Sequence, residues 1–205
     1  MTVRIAIIVE GGIEKAFEKT LRGFLKGLLA GEMPKLHFIT KYGRIPKEDR
    51  LRRDVERLLQ TNDAVIALTD VYTVPQSHDF ETAMDAKHKM RQWVGPEPRF
   101  HPHAAQYDFE AWLLPYWPTI QTLARSNRSA PSSSPENVNH QKPPSKHLDE
   151  VFRSGQNKRS YSKVRDGVRI LRDQDLAASA EACPELRDFL NTIIVLCGGT
   201  TRWRV

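Results

Sequence analysis

The stretch that decides the fold is Ala64-Val65-Ile66-Ala67-Leu68-Thr69-Asp70-Val71-Tyr72. This unbroken apolar run is rich in β-branched residues and ends on a carboxylate, which is typical of a buried parallel strand. Asp70 then lies at the carboxyl end of the strand. In open α/β sheets, ligands and catalytic groups gather at that edge because the loops there are exposed while the strands beneath them are rigid.

The amino-terminal strand repeats this arrangement. Residues 3–9 form a second apolar run, which ends on Glu10 and is followed at once by Gly11 and Gly12. Two strands that bring carboxylates to the same edge make a hard, oxygen-rich site of the type that Mg²⁺ or Mn²⁺ prefers. A divalent cation would also relieve the repulsion between the acids. The alternative is that Glu10, beside a Gly-Gly turn, only caps the helix that follows.

Strands and helices alternate over the first 124 residues. Three segments carry apolar residues at three- and four-residue steps, which predicts amphipathic helices. These helices are expected at residues 13–28, 46–60 and 79–93. Further strands are expected at residues 35–40 and 99–106, and a fourth helix is expected to start within residues 107–114. This order predicts the α/β class, with a mostly parallel sheet and helices on both of its faces.

Several side chains near the fourth strand carry possible chemistry. Pro102 has no N–H to donate, so it belongs at a sheet edge or a bulge. His101 and His103 would share one face of the strand, where a metal role and a half-exposed edge position both stay open. Asp108 and Glu110 follow in the first turn of the next helix, where they could complete a metal site or cap the helix.

The composition indicates a globular protein that is compatible with a polyanionic partner. The chain has 205 residues, 40% of them hydrophobic, which is enough for the core of one domain with a small appendage. It carries 31 Lys and Arg against 25 Asp and Glu, which gives a net charge of +6. Its two cysteines, Cys183 and Cys197, lack zinc-ligand spacing, which argues against a disulfide framework and favours the cytoplasm. No segment approaches the roughly 18 apolar residues of a membrane span.

The second half of the chain changes character. Residues 125–146 are rich in Ser, Pro and Asn and predict a long loop after an α/β domain at residues 1–124. Short helices are expected at residues 148–152, 164–171 and 186–196. We therefore expect residues 147–205 to form a small helical extension packed on the first domain.

The segment Val9-Glu10-Gly11, together with Asp70, resembles the Toprim arrangement of primases, topoisomerases and OLD-type nucleases. The resemblance implies that a strand-end Glu followed by Gly, and a later Asp-x-Asp, hold Mg²⁺ for phosphodiester chemistry. Tyr72 stands where that pattern has its second Asp, which leaves the site short of one ligand. Asp108 or Glu110 would supply the missing charge; alternatively, the site is degenerate and the protein only binds.

A narrower resemblance covers almost the whole chain. Residues 70–75 and 100–114 look like the bacterial domain-of-unknown-function family 4276, with its D-x-Y-x-x-P segment and a phrase ending E-F-E-A-L-L. Residues 135–139, 144–146 and 161–163 look like later segments of that family. The chain has Tyr107-Asp108 where the family usually shows His-Glu. The resemblance also implies partnership with neighbouring ATPases in phage-defence or mobile-element settings.

These features together predict a Toprim-like nuclease that uses Mg²⁺ or Mn²⁺ to cleave DNA or RNA. The expected catalytic residues are Glu10, Asp70 and Glu110, and the expected metal ligands are Glu10, Asp70, Asp108 and Glu110. The candidate phosphate- and nucleic-acid-binding residues are Gly11, Gly12, Lys41, Arg44, Tyr72, Lys146 and Lys163. A non-catalytic binding subunit of an ATPase complex and a nucleotide phosphohydrolase or phosphotransferase stay open as alternatives, as does the oligomeric state.

Overall fold

The computed structural model describes residues 2–29, 31–71, 79–138 and 142–200. Within these residues the strands are β1 (Arg4–Val9), β2 (Lys35–Thr40), β3 (Ala64–Asp70) and β4 (Phe100–Ala105). They form one parallel sheet in the order β2-β1-β3-β4. The predicted α/β class with a mostly parallel sheet is therefore confirmed.

The register of the sheet positions the two strand-end acids. In the pairing of β1 with β3, Val9 lies opposite Leu68. Glu10, which follows Val9, therefore lies opposite Thr69, which follows Leu68 and precedes Asp70. Both acids thus lie at the carboxyl edge of adjacent strands. Pro102 lies in β4, which forms one side of the sheet, so its predicted edge position is also confirmed.

Most helices follow the predicted order with shifted ends, and the helix Leu176–Ala182 was not predicted from the sequence. Those of the described residues are α1 (Gly12–Leu28), α2 (Glu48–Leu59), α3 (Ala83–Val94), α4 (Trp117–Ala124), α5 (Pro144–Ser154), α6 (Lys163–Leu171), α7 (Leu176–Ala182) and α8 (Pro184–Leu196). The expected helix at 107–114 is a 3₁₀ segment, Phe109–Tyr116, which contains Pro115, a residue with no N–H to donate. A short 3₁₀ turn at Pro135–Asn137 interrupts the predicted loop. No helix in the described ranges combines the length and apolar character that a bilayer crossing needs.

Two hydrophobic cores cover the two faces of the sheet, and β1 contributes to both. Ile5, Ile7 and Val9 face the core that contains α1 and the helices after β4. Ala6 and Ile8 face the core that contains α2 and α3. This alternation follows from the two-residue period of a strand.

The carboxyl-terminal helices pack into the same core as α1. The ring of Trp112, in the 3₁₀ segment, lies 6.3 Å from that of Phe17 in α1 and 5.9 Å from that of Phe189 in α8. Helix α6 approaches α1 closely, since a Cβ added to Gly167 would lie 2.4 Å from Ile13 Cδ1. This close approach brings the amino terminus of α6 next to the carboxyl end of β1.

Candidate metal centre

Glu10 is a buried carboxylate at the end of β1, with 9% of its surface exposed. The hydroxyl of Thr69, on β3, donates a hydrogen bond to Glu10 Oε1. Burial raises the pKa of Glu10 to about 7, although the Thr69 hydrogen bond opposes the shift, and the charge of Glu14 adds to it. The carboxyl group therefore changes its charge near neutral pH.

Asp70 ends β3 and belongs to the same group of charges. Its pKa lies well above the ordinary value, first because the carboxylate is buried and then because Glu10 and Glu14 carry like charges nearby. Lys163 opposes this shift. The structure thus brings together the two acids that the sequence places at the ends of separate strands.

Asp108 lies beside Asp70, and Glu110 lies beside Asp108. Both are buried, with 3% and 0% of their surfaces exposed. Asp108 Oδ2 accepts a hydrogen bond from the Ser145 N–H at 3.1 Å, so this acid also caps the first turn of α5. Burial, followed by the charge of Glu110, raises the pKa of Asp108 to about 7. Two buried oxygens, Asp108 Oδ1 and Glu110 Oε1, accept no hydrogen bond from the residues that the structure describes.

Glu14 is a member of this site that sequence reasoning missed. Only 4% of its surface is exposed, and its pKa is raised by burial and by the charge of Glu110. Glu14 Oε2 accepts a hydrogen bond from the Gly11 N–H at 3.1 Å. The sequence did offer one signal for the position of Glu14. A Glu at the third position of a helix is typical of a cap, which would place it next to the turn at the end of β1. We call Glu10, Glu14, Asp70, Asp108 and Glu110 the acid cluster.

Lys163 is the basic side chain that contacts the acid cluster. Its Nζ lies 3.2 Å from Glu110 Oε2, while about half of the lysine side chain, 54%, is exposed. Burial lowers the pKa of the ammonium group, but the charges of Glu110, Asp70 and Asp108 outweigh this and raise it above the ordinary value. The residue predicted to bind phosphate therefore stays protonated among the carboxylates.

The other basic candidates are not paired with the acid cluster in the ion pairs of the described residues. Lys41 Nζ pairs with Asp54 Oδ2 at 2.5 Å, and Arg44 pairs with Asp79. Lys146 is exposed on α5. The turn that carries Lys41 and Arg44 does reach the acidic edge through its backbone, because the Gly43 N–H donates to the carbonyl oxygen of Glu10 at 3.0 Å.

The two glycines after β1 have structural partners in the described residues. The N–H of Gly11 is occupied by Glu14. A Cβ on Gly12 would lie 3.1 Å from Val164 Cγ2, so this glycine allows α6 to approach α1. Tyr72, the remaining phosphate-binding candidate, lies outside the described residues.

The acid cluster fits a hard divalent cation by the chemistry of its donors. In the described part of the chain, Lys163 is near four of the five carboxylates, and two buried carboxylate oxygens lack a hydrogen-bond donor. Across residues 2–29, 31–71, 79–138 and 142–200, however, no three His, Cys, Asp or Glu side chains are close enough to hold one ion together. Side-chain rotations would therefore have to accompany the binding of a metal ion.

Comparison with known proteins supports the fold. A family model described as DUF4276, a domain of unknown function, matches residues 9–194. A solved structure, the C-terminal region of the Burkholderia pseudomallei OLD protein, matches with a TM-score of 0.53 and 13% sequence identity, covering 96% of this chain and 100% of that one. No curated protein matches the sequence. The fold is thus Toprim-like, as the sequence predicts.

Proposed function

The chain belongs to the DUF4276 family, and on that premise we propose that it is a Mg²⁺- or Mn²⁺-dependent nuclease that hydrolyses phosphodiester bonds in DNA or RNA. The observation that carries the proposal is the meeting of Glu10 and Asp70 at adjacent strand ends, where burial raises the pKa of both and the charges of neighbouring acids raise it further. A buried group of like charges lowers the stability of the folded chain unless a cation neutralises it.

A bound divalent ion would supply a Lewis acid that polarises the phosphate and makes an attacking water more acidic. The ion would be held by Glu10 and Asp70 at the ends of β1 and β3, by Glu14 at the start of α1, and by Asp108 and Glu110. Alternatively, if the other acids hold the ion, Glu10 could act as the general acid or base. The half-exposed ammonium of Lys163 is placed to neutralise a phosphate oxygen that approaches from solvent.

The test is a cleavage assay on supercoiled plasmid DNA and on single-stranded RNA with millimolar Mg²⁺ or Mn²⁺. Glu10→Gln and Asp70→Asn keep the shape of the side chains and remove their charge. We expect each variant to lose about 100-fold or more in rate, the usual cost of removing a group that stabilises transition-state charge. Glu18→Gln is the matched control, because Glu18 is on α1 but pairs with Arg22 at 2.8 Å instead. A wild-type cleavage rate equal to the rates of Glu10→Gln and Asp70→Asn would refute the proposed nuclease activity.

A second candidate is a non-catalytic binding subunit of an ATPase complex, in line with the phage-defence setting that the family resemblance implies. Two observations favour it: Lys163 already neutralises Glu110, and the described residues contain no group of three metal-ligating side chains. Calorimetry separates the candidates, because a degenerate site should take up no divalent ion at millimolar concentration. A nucleoside triphosphate as substrate in the cleavage assay tests the third alternative, a nucleotide phosphohydrolase.

A further inference from the structure

A recess of about 880 Å³ lies where the turn after β2 meets the start of α2, and we call it the basic recess. Three of its lining residues are acidic, whereas five carry a positive charge: Lys41, Arg44, Lys47, Arg50 and Arg53. A concave surface with an excess of Lys and Arg attracts a polyanion, because these side chains neutralise phosphate groups.

The acidic side chains around the basic recess do not cancel its charge. Asp79 pairs with both Arg44 and Lys47, so one carboxylate faces two cations. Arg50 and Arg53 are exposed, and neither forms an ion pair with a residue that the structure describes. Their guanidinium groups are therefore available to phosphate oxygens, which they can bind in a bidentate manner.

The basic recess adjoins the acid cluster through the backbone of the turn. The N–H of Lys41 donates to the carbonyl oxygen of Val9 at 2.9 Å, and the N–H of Gly43 donates to that of Glu10 at 3.0 Å. Ile45, which lines the recess, forms a backbone hydrogen bond with the Glu10 carboxyl group. A nucleic-acid strand bound in the recess would therefore run beside the candidate metal centre.

Tyr42 lies in the same turn, and 84% of its surface is exposed. Its φ of 52° lies in the left-handed region, which is unfavourable for a residue with a bulky side chain. Because so little of the ring is buried, packing within the fold does not offset this cost. An exposed aromatic ring beside Lys and Arg is the arrangement on which single-stranded nucleic acids stack their bases.

We propose that Tyr42 stacks on an unpaired base of a single-stranded nucleic acid whose phosphates lie in the basic recess. This inference rests on the proposed function, because it names single strands as the substrate class of the same site. A base inside a duplex is stacked on both faces and has none to offer the ring. The charge of the recess attracts single strands and duplexes alike, so the ring of Tyr42 supplies the discrimination.

The test is the fluorescence anisotropy of labelled oligothymidylate and oligouridylate of about 20 nucleotides, which span one binding site. The parent chain carries Glu10→Gln and Asp70→Asn and the buffer contains a chelator, so that no strand is cleaved. Tyr42→Asn removes the ring, and Asn tolerates the left-handed conformation, so weaker binding would not reflect a misfolded turn.

We expect Tyr42→Asn to lower the affinity for the better-bound of the two strands by about 5- to 100-fold. Tyr42→Phe keeps the ring and should change this affinity by less than about twofold. The affinity of Tyr42→Asn for a duplex of the same length should also change by less than about twofold, because no base face is free.

Salt dependence separates the ring from the charges. Arg50→Gln should make the fall of log affinity with log salt concentration shallower by about 0.7, the loss of one phosphate contact. Tyr42→Asn should leave this slope unchanged, because stacking releases no counterions. Lys35→Gln is the control for charge, because Lys35 starts β2 and so lies at the opposite edge of the sheet; neither affinity nor slope should change.

Equal affinities of the parent and Tyr42→Asn chains for single strands would overturn the proposal, as would an equal loss for the duplex. Absence of single-strand binding, the result expected if an acidic protein segment occupies the basic recess, would overturn it too. Failure of the nuclease is a separate result, because binding is measured without metal. A chain that binds strands through Tyr42 and cleaves none would refute the nuclease and retain the stacking site.

Discussion

Replacing Glu10 by Gln should stabilise the metal-free chain above pH 7. The carboxyl group keeps its proton up to about pH 7 in the folded chain, whereas its ordinary pKa is 4.5. Unfolding therefore releases a proton between these two pH values, so the free energy of unfolding falls as pH rises through this window and is level above it. The difference between the two pKa values corresponds to about 3 kcal/mol.

Gln is neutral at every pH and has nearly the shape of the protonated acid. Its amide oxygen can still accept the hydrogen bond from Thr69, while the extra N–H costs up to about 1 kcal/mol if it finds no acceptor. We therefore expect the free energy of unfolding of Glu10→Gln to exceed that of the wild type by about 2 to 3 kcal/mol at pH 8. Below pH 4.5 the two chains should differ by less than about 1 kcal/mol.

Urea denaturation in the presence of a chelator measures this gain, which should move the midpoint by about 1 M at pH 8. Asp108 and Glu136, whose pKa values burial also raises to about 7, contribute to the pH dependence of both chains and cancel in the difference. Glu18→Gln is the control and should change stability by less than about 1 kcal/mol at either pH. A wild type whose stability stays level from pH 4.5 to 8, or a Glu10→Gln chain that is no more stable at pH 8, would refute the reasoning.

Three other perturbations can be followed by the same urea titrations. Millimolar Mn²⁺ should raise the wild-type midpoint at pH 8 but not at pH 4.5, because only ionised carboxylates hold the cation; an equal rise at both would contradict this. Lys163→Met should lower the free energy of unfolding by about 1 to 3 kcal/mol at pH 7, because it leaves the buried Glu110 carboxylate without its charged donor. An unchanged urea midpoint would show that Lys163 does not stabilise Glu110. Gly167→Ala should lower the free energy of unfolding by about 1 to 3 kcal/mol, because the added Cβ would collide with Ile13. Gly23→Ala is the control: it has open space around it and should raise the free energy of unfolding by about 0.5 to 1 kcal/mol. Equal effects of the two substitutions would contradict the close contact of α1 and α6.

The sheet could be predicted from sequence because each strand carries its own signal. The apolar run that ends on Asp70 reads as a buried strand without knowledge of its neighbours, and the same holds for the run that ends on Glu10. Parallel strands joined by helices place both ends at one edge. The proximity of these two acids followed from those local facts.

The burial of Glu14 could not be predicted in this way. Helical periodicity places it between the apolar positions Ile13 and Phe17. What buries it is the surrounding tertiary structure, and what shifts its pKa beyond burial is the charge of Glu110, which is far away in sequence. The pairing of Lys163 with Glu110 is a long-range contact of the same kind. Local patterns carry no information about such contacts.

The acid cluster depends on both halves of the chain. Its strand-end members come from β1 and β3, but Asp108 is held by the Ser145 N–H at the start of α5, and Glu110 is held by Lys163 at the start of α6. The Ser- and Pro-rich segment before α5 therefore returns the chain to the sheet edge, and the helices after it supply the positive charge that opposes the cluster. The charge balance at the site is thus set by contacts between the sheet and the carboxyl-terminal helices. A cation that binds the acids would therefore change the strength of the contacts that α5 and α6 make with the sheet edge.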